Sequence, residues 1–80
     1  MKIEVTQADI DAGGDNSGTC PIARALRRAL GTPCFTTGAS YWCGSIHSKK
    51  IFPLPMQCLD FVNDYDSQRL VDPFTFEIDA

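Results

Sequence analysis

Between Ser17 and Gly31 the sequence has the pattern of a helix with both ends marked. Ser17 or Thr19 has the side-chain oxygen that caps free amides at a helix start, and Pro21 suits the first turn. Gly31 adopts easily the left-handed conformation with which many helices end. We therefore predict a helix over residues 21–30. Its apolar face consists of residues at helical spacing, which are Ile22, Leu26, Ala29 and Leu30.

A second face of this predicted helix is basic. It carries Arg24, Arg27 and Arg28, three of the seven basic residues in a chain whose net charge is −3. The helix follows a glycine-rich loop at residues 11–18, and free amides at a helix start attract phosphate or carboxylate. We therefore predict a site for a small anionic ligand. The candidate ligand-binding residues here are Ser17, Thr19, Arg24, Arg27 and Arg28. The alternative is an ordinary capped helix whose charged face meets only water.

Length and composition limit the fold and the partners. A chain of 80 residues, 44% hydrophobic and 21% charged, is typical of one globular domain over residues 1–80. So short a chain buries a modest core, which favours a homo-oligomer. The net charge of −3 argues against bulk nucleic acid, and the apolar runs are too short to span a membrane. Because the N-terminus lacks the apolar core of a signal peptide, we expect a cytoplasmic protein with reduced thiols.

Hydrophobic periodicity predicts the remaining elements. Residues 2–6 alternate between apolar and polar, which indicates a half-buried strand. Thr6 and Asp9 have capping-box spacing, which predicts a helical turn that ends near residue 10. The other predicted elements are strands at residues 40–46 (with 34–37 as an extension) and 50–52, a turn at 47–49, a helix at 56–65 and a strand at 73–78. The expected buried stripe of the second helix is Cys58, Leu59, Val62 and Tyr65, with Phe61 at its edge.

The main elements follow the order β-α-β-β-α-β. This order is that of the split βαβ, or ferredoxin-like, sandwich, and we predict an α+β domain with two helices packed on one face of an antiparallel sheet. A curled sheet around one helix is the alternative architecture. In either case the first and last strands are expected to be neighbours, with Lys2 opposite Glu77.

Aromatic residues in the middle of the chain are candidates for stacking on a nucleobase. Tyr41 and Trp42 are adjacent, and aromatic faces beside cations are typical of nucleotide sites. Because successive residues of a strand point to opposite faces, at most one of the two rings is free for a ligand. The alternative for both rings is packing in the core and against a neighbouring strand.

Cysteines and histidine do not form a recognisable catalytic or metal-binding motif. There is no C-x-x-C pair, and Cys43 with His47 gives only two ligands. Cys20 stands at the start of the predicted helix, a position in which thiols become reactive, and the alternative is a small buried residue. Cys34 and Cys58 have the character of buried structural cysteines. We therefore expect no catalytic residue, no metal and no cofactor.

Four segments together resemble short uncharacterised proteins encoded by bacteriophages and prophages. The segments are KIEVTQADIDAG, CPIARALRRAL, the helix that starts after Leu54-Pro55 and contains FVNDYD, and VDPFTFEI. The resemblance implies an accessory gene product with an anti-defence role that acts in the cytoplasm of a bacterial host. It carries over no functional residues.

Three functions are consistent with the sequence. The first is sequestration, without catalysis, of a nucleotide-like ligand such as a cyclic oligonucleotide immune signal, with phosphates on the arginines and a base on Trp42 or Tyr41. The second is inhibition of a host defence enzyme through protein–protein contact, with either the arginines or the acidic side chains Asp60 and Asp64 as anchors. The third is hydrolysis through His47 or Cys20, which no local motif supports. We favour the first.

Overall fold

The computed structural model describes residues 1–14, 18–37, 39–44 and 51–78. This part of the chain forms a small α+β domain, and the predicted fold class is confirmed. None of its helices has the length and apolar character that crossing a membrane requires. The elements in order are β1 (Lys2–Val5), α1 (Gln7–Ala12), α2 (Pro21–Leu30), β2 (Cys34–Thr37), β3 (Ser40–Cys43), β4 (Phe52–Pro53), α3 (Met56–Asp66) and β5 (Phe74–Glu77).

The first and last strands form an antiparallel pair, as expected. Lys2 lies opposite Glu77, and Ile3 lies opposite Phe76. Ile3 and Phe76 are both buried, so the pair turns one apolar face to the core and one polar face to solvent. The backbone amide of Ile78 extends the pairing with a 2.9 Å hydrogen bond to the carbonyl of Met1.

The other described strands form a separate sheet in the order β2-β3-β4. The described strands therefore belong to two antiparallel sheets, whereas the sequence analysis predicts one. Strand β2 is not an extension of β3 but its antiparallel partner, with Phe35 opposite Trp42. Strand β4 has two residues, and Pro53 has no amide hydrogen that it could donate to a further strand. The predicted turn at residues 47–49 lies outside the described part of the chain.

Both ends of α2 follow local rules, although the N-terminal cap is not the predicted one. The cap is Cys20, whose sulfur accepts a 3.4 Å hydrogen bond from the amide of Ala23. Thr19 precedes this cap and is not the cap itself, and Ser17 lies outside the described residues. At the other end Gly31 has a φ of 69° and its amide donates to the carbonyl of Arg27, as the sequence predicts.

The core lies between the helices and both sheets. Helix α2 contacts β1 on one side and β2 on the other, so its buried residues Ile22 and Leu26 connect the two sheets. Ala29, which the sequence places on the apolar face, is exposed. On α3 the buried residues are Cys58 and Phe61, so Phe61 belongs to the centre of the buried face and not to its edge.

Two leucines provide a matched test of this core. Leu26 is fully buried and Leu70 is fully exposed. Leu26→Ala removes buried methyl groups and leaves a cavity, so we expect the free energy of unfolding to fall by about 3 kcal/mol. Leu70→Ala should change it by less than about 0.5 kcal/mol. Urea denaturation of both variants measures the two effects, and equal losses would contradict the assignment of the core.

Candidate functional site

A buried carboxylate lies at the centre of the basic surface. Asp9 is only 1% exposed and occupies the third position of α1. There it completes the predicted capping box with Thr6, whose amide donates to Asp9 Oδ2 at 2.9 Å and whose hydroxyl donates to it at 3.1 Å. The local sequence thus fixes the carboxylate at the start of the helix, with its remaining acceptor sites turned towards α2.

Arg28 of α2 binds this carboxylate through both of its terminal nitrogens. Nη1 donates to Asp9 Oδ1 at 2.7 Å, and Nη2 donates to Oδ2 at 2.8 Å. The same Nη2 also donates to the carbonyl of Glu4 at the end of β1, at 2.7 Å. One guanidinium therefore connects α2, α1 and β1, and the paired geometry is that of a strong charge-assisted hydrogen bond.

The charges of this pair stabilise each other. Burial alone would raise the pKa of Asp9, because burial disfavours the charged form. Hydrogen bonds from Arg28 and Thr6, together with the positive charge of Arg28, outweigh burial and lower the pKa of Asp9 below its usual value. The hydrogen bond to Asp9 raises the pKa of Arg28 in turn. At neutral pH the two groups therefore form a charged pair.

Arg24 lies one helical turn before Arg28 and faces the same carboxylate. Its Nε is 3.8 Å from Asp9 Oδ1, which is an ion-pair distance but too long for a hydrogen bond. This Nε is buried and has no hydrogen-bond partner. The rest of the side chain is 40% exposed. Arg24 is thus held by charge attraction between its Nε and Asp9. Its terminal nitrogens remain hydrogen-bond donors for other groups.

Arg27 extends the basic surface in the opposite direction. It is exposed, and its Nη2 donates to the carbonyl of Gly18 at 2.8 Å, with the carbonyl of Cys34 at 3.5 Å. Gly18 in turn lies against the ring of Phe35, since a Cβ added at Gly18 would be 3.2 Å from that ring. The guanidinium of Arg27 is therefore a neighbour of the β2–β3 hairpin.

These three arginines and Asp9 line one shallow concavity of about 280 Å³, which we call the arginine hollow. Three guanidinium groups and one carboxylate give it a formal charge of +2. Such a lining suits a phosphate or carboxylate group, because guanidinium donors bind oxyanions in a fork geometry. Arg24, Arg27 and Arg28, which the sequence analysis assigns to one site, thus line the same hollow.

The hollow does not include the other predicted residues. Thr19 is exposed, and its carbonyl accepts a 2.8 Å hydrogen bond from Gly14, but it does not line the hollow. The reason is that Arg24 and Arg28 are drawn towards Asp9 on α1. One of the first amides of α2 is also already bound to Cys20. Ser17 is outside the described residues.

The two aromatic candidates point to opposite faces of β3, as the alternation predicts. Tyr41 is 4% exposed and stacks on Phe52, with ring centroids 5.4 Å apart, so it belongs to the core and offers no open face to a base. Trp42 is half-buried and stacks on Phe35 at 5.6 Å. Neither ring lines the arginine hollow, but Phe35 of the second stack contacts Gly18 next to Arg27.

Sequence reasoning missed the role of Asp9. The capping-box spacing identifies it as a local cap, and that function is confirmed. Its second function, as the partner of Arg28, joins residues 19 positions apart. The sequence signal for such a pair is weak. It consists of a capping carboxylate, Asp9, followed along the chain by a helix with two arginines four residues apart, Arg24 and Arg28.

The comparisons with known proteins identify no relative. The chain gives no significant match to a protein-family model, to a curated protein or to a solved structure. The resemblance to phage proteins therefore stays an expectation. Among the residues that the structure describes, no three His, Cys, Asp or Glu side chains come together in a way that would hold a metal ion.

Replacement of Asp9 with Asn tests the pair at the centre of the site. We expect the free energy of unfolding to fall by about 2 kcal/mol at neutral pH, because the variant loses the negative charge and one of the two oxygens that accept hydrogen bonds from Arg28. Since the folded-state pKa of Asp9 is lowered, its contribution is complete above the ordinary value of 3.8 and is lost as pH falls through the folded-state value. The difference between wild type and D9N should therefore shrink in urea titrations below about pH 4.

Asp60→Asn is the control, because Asp60 is exposed on α3. It should change the free energy of unfolding by less than about 0.5 kcal/mol at neutral pH. A D9N effect as small as that of D60N, or one that stays constant into acid, would contradict the role given to Asp9.

Proposed function

We propose that the protein binds a small anionic, nucleotide-like ligand at the arginine hollow and holds it without chemical change. The observation that carries the proposal is that three guanidinium groups from one ten-residue helix line a single concavity. An acidic chain with a net charge of −3 concentrates positive charge at this place. Local positive charge in a concave site favours phosphate groups over neutral ligands.

The three arginines have different parts in this proposal. Arg28 is held by Asp9 and Glu4, so it contributes mainly a fixed charge and the shape of the hollow. Arg27 is exposed, and its partners among the described residues are backbone carbonyls, so its guanidinium can turn to a phosphate at low cost. Arg24 is held by the ion pair of its buried Nε with Asp9, and its side chain is 40% exposed, so its terminal nitrogens can donate to an oxyanion. Arg24 and Arg27 are therefore the proposed ligand-binding groups, and Asp9 is a positioning residue.

A nucleobase has one candidate surface near these groups. The half-buried stack of Phe35 and Trp42 lies beside Gly18, whose carbonyl accepts from Arg27. Trp42 is the proposed stacking residue, and Tyr41 is not proposed because it is buried. A hollow of about 280 Å³ is at the small end for a ligand pocket, so we propose that a second copy of the chain completes the site.

The biological role in this proposal comes from the resemblance to phage proteins. Such a protein would act in the cytoplasm of a bacterial host and sequester a cyclic oligonucleotide immune signal. The chemistry of the hollow agrees with a phosphodiester ligand, because the described residues of its lining provide guanidinium donors and include no histidine, cysteine or serine that would attack phosphorus. The proposed anti-defence function is therefore binding and not hydrolysis.

A protein–protein inhibitor is the second candidate, and one observation favours it. A different concavity, of about 380 Å³, opens beside the apolar side chains of Met1 and Phe52, which are 52% and 39% exposed. Exposed apolar groups around a hollow are typical of docking surfaces for other proteins. In this case the protein would bind a host defence enzyme and need no nucleotide.

Calorimetric titration with inorganic pyrophosphate, AMP and a cyclic di-adenylate tests the binding function. Arg27→Gln should weaken binding of the tightest ligand at least about tenfold, because a charged fork is lost from the hollow. Arg27→Lys keeps the charge but not the fork and should have an intermediate affinity. Arg69→Gln is the control, since Arg69 lies beyond α3 and pairs with Asp64. Absence of heat with all three ligands, or equal losses in R27Q and R69Q, would overturn the proposal.

Mass spectrometry of the ligand after incubation separates binding from catalysis. We expect the cyclic di-adenylate to be recovered intact after the protein is denatured. A linear or cleaved product that wild type forms and a heat-inactivated sample does not would show hydrolysis and contradict the proposed sequestration.

A further inference from the structure

Two of the four cysteines lie directly opposite each other on adjacent strands. Cys34 of β2 is the register partner of Cys43 of β3. The next pair along the hairpin is hydrogen-bonded, since the amide of Gly44 donates to the carbonyl of Pro33 at 2.8 Å. Hydrogen-bonded and non-hydrogen-bonded pairs alternate along antiparallel strands, so Cys34 and Cys43 occupy a non-hydrogen-bonded position.

This position has the geometry that a disulfide needs. Non-hydrogen-bonded pairs have Cα atoms about 4.5 Å apart, and disulfides join Cα atoms about 4.4–6.8 Å apart. Opposite residues of a pair also point to the same face of the sheet. Here that face is the core side, where Cys34 is fully buried and Cys43 is partly buried against the core cluster. Both thiols are free.

From this juxtaposition we infer that Cys34 and Cys43 are a site of reversible oxidation, at which a low-molecular-weight disulfide converts the two thiols into a cross-strand disulfide. The inference does not depend on the proposed ligand. It assigns the pair a covalent modification that leaves the register of the hairpin unchanged.

The exposure of the two sulfurs determines which cysteine reacts first with the small disulfide. Cys43 is partly exposed, whereas Cys34 is closed off from solvent. Burial raises the pKa of Cys34 to about 12, and a hydrogen bond with the Cys43 thiol contributes to the increase. The Cys34 thiol is therefore protonated and protected until its neighbour has reacted. Cys43 is the group that meets the oxidant first.

The two exchange steps are balanced in atoms and electrons. The Cys43 thiolate attacks one sulfur of the small disulfide, forms a mixed disulfide and expels one thiolate, which takes up a proton. The sulfur of Cys34 then attacks the sulfur of Cys43, and the proton of Cys34 goes to the departing sulfur, which leaves as the second small thiol. Two protein thiols and one small disulfide become one protein disulfide and two small thiols.

The other two cysteines are the competing pair. Burial raises the pKa of Cys58 to about 12, and the electrostatic interaction with the nearby Cys20 adds to the increase. However, Cys20 caps α2 and its sulfur is 2.9 Å from the hydroxyl of Thr36. A bond to Cys58 would disturb these contacts. A bond between Cys34 and Cys43 removes the 3.4 Å hydrogen bond from the Cys34 thiol to the carbonyl of Thr32 but breaks none of the backbone hydrogen bonds of the hairpin.

Oxidised glutathione is the probe for the test. The fully reduced chain should lose the mass of two hydrogen atoms, and a chymotryptic digest should contain a linked pair of peptides with Cys34 and Cys43, because Phe35, Tyr41 and Trp42 provide cleavage sites between them. The oxidised chain should melt several degrees higher than the reduced one, and a thiol reductant should reverse both changes. Linkage of Cys20 to Cys58, or a glutathione adduct on Cys43 that never closes, would overturn the inference.

Two variants sharpen the result. Cys20→Ser keeps an oxygen acceptor at the helix cap and should still form the linkage to the same extent. Cys43→Ser should remove it and leave no mass loss under the same conditions. The peptide map of the wild-type chain decides the question by itself if C43S does not fold, and equal mass loss in wild type and a folded C43S would contradict the assignment.

Discussion

The carboxylate of Asp9 is the group on which the arrangement of α1, α2 and β1 depends. A buried charge is costly unless it is paired and hydrogen-bonded, and Asp9 meets this requirement only when Thr6 and Arg28 are both in place. Arg28 must then also lie near the carbonyl of Glu4, which sets α2 against the end of β1. The orientation of the basic helix is therefore determined by an internal anion, before any ligand is considered.

This arrangement affects the hollow in two opposite ways. It aligns Arg24 and Arg28 without a ligand, which reduces the entropy that a ligand would otherwise have to lose. It also cancels one of three positive charges, so the electrostatic attraction to an anion is weaker than the sequence implies. The choice between different anionic ligands then depends on groups other than Asp9 and Arg28. Arg27 is the arginine that makes no ion pair in the described structure, and it connects the hollow to the hairpin through Gly18 and Cys34.

The predictable parts of the structure are those that depend on residues close in sequence. Gly31 ends a helix and Thr6 with Asp9 begins one, because each acts within a single turn. The pairing of β1 with β5 is also predictable, since each strand has one apolar face and a one-residue slip would turn one of these faces to solvent. The contact between Asp9 and Arg28 is not, because it requires α1 to pack on α2. Alternation places Tyr41 and Trp42 on opposite faces, but only the folded core shows which ring it covers.

The shortness of β4 has a consequence for contacts between molecules. A long exposed edge strand offers unpaired backbone groups to which another chain can add, and this leads to aggregation. Here the outer strand of the three-stranded sheet has two residues, and one of them, Pro53, has no amide hydrogen. Growth of a continuous sheet from one molecule to the next is blocked on this side. Copies of the chain must therefore meet through their side-chain surfaces here, which limits the ways in which an assembly can form.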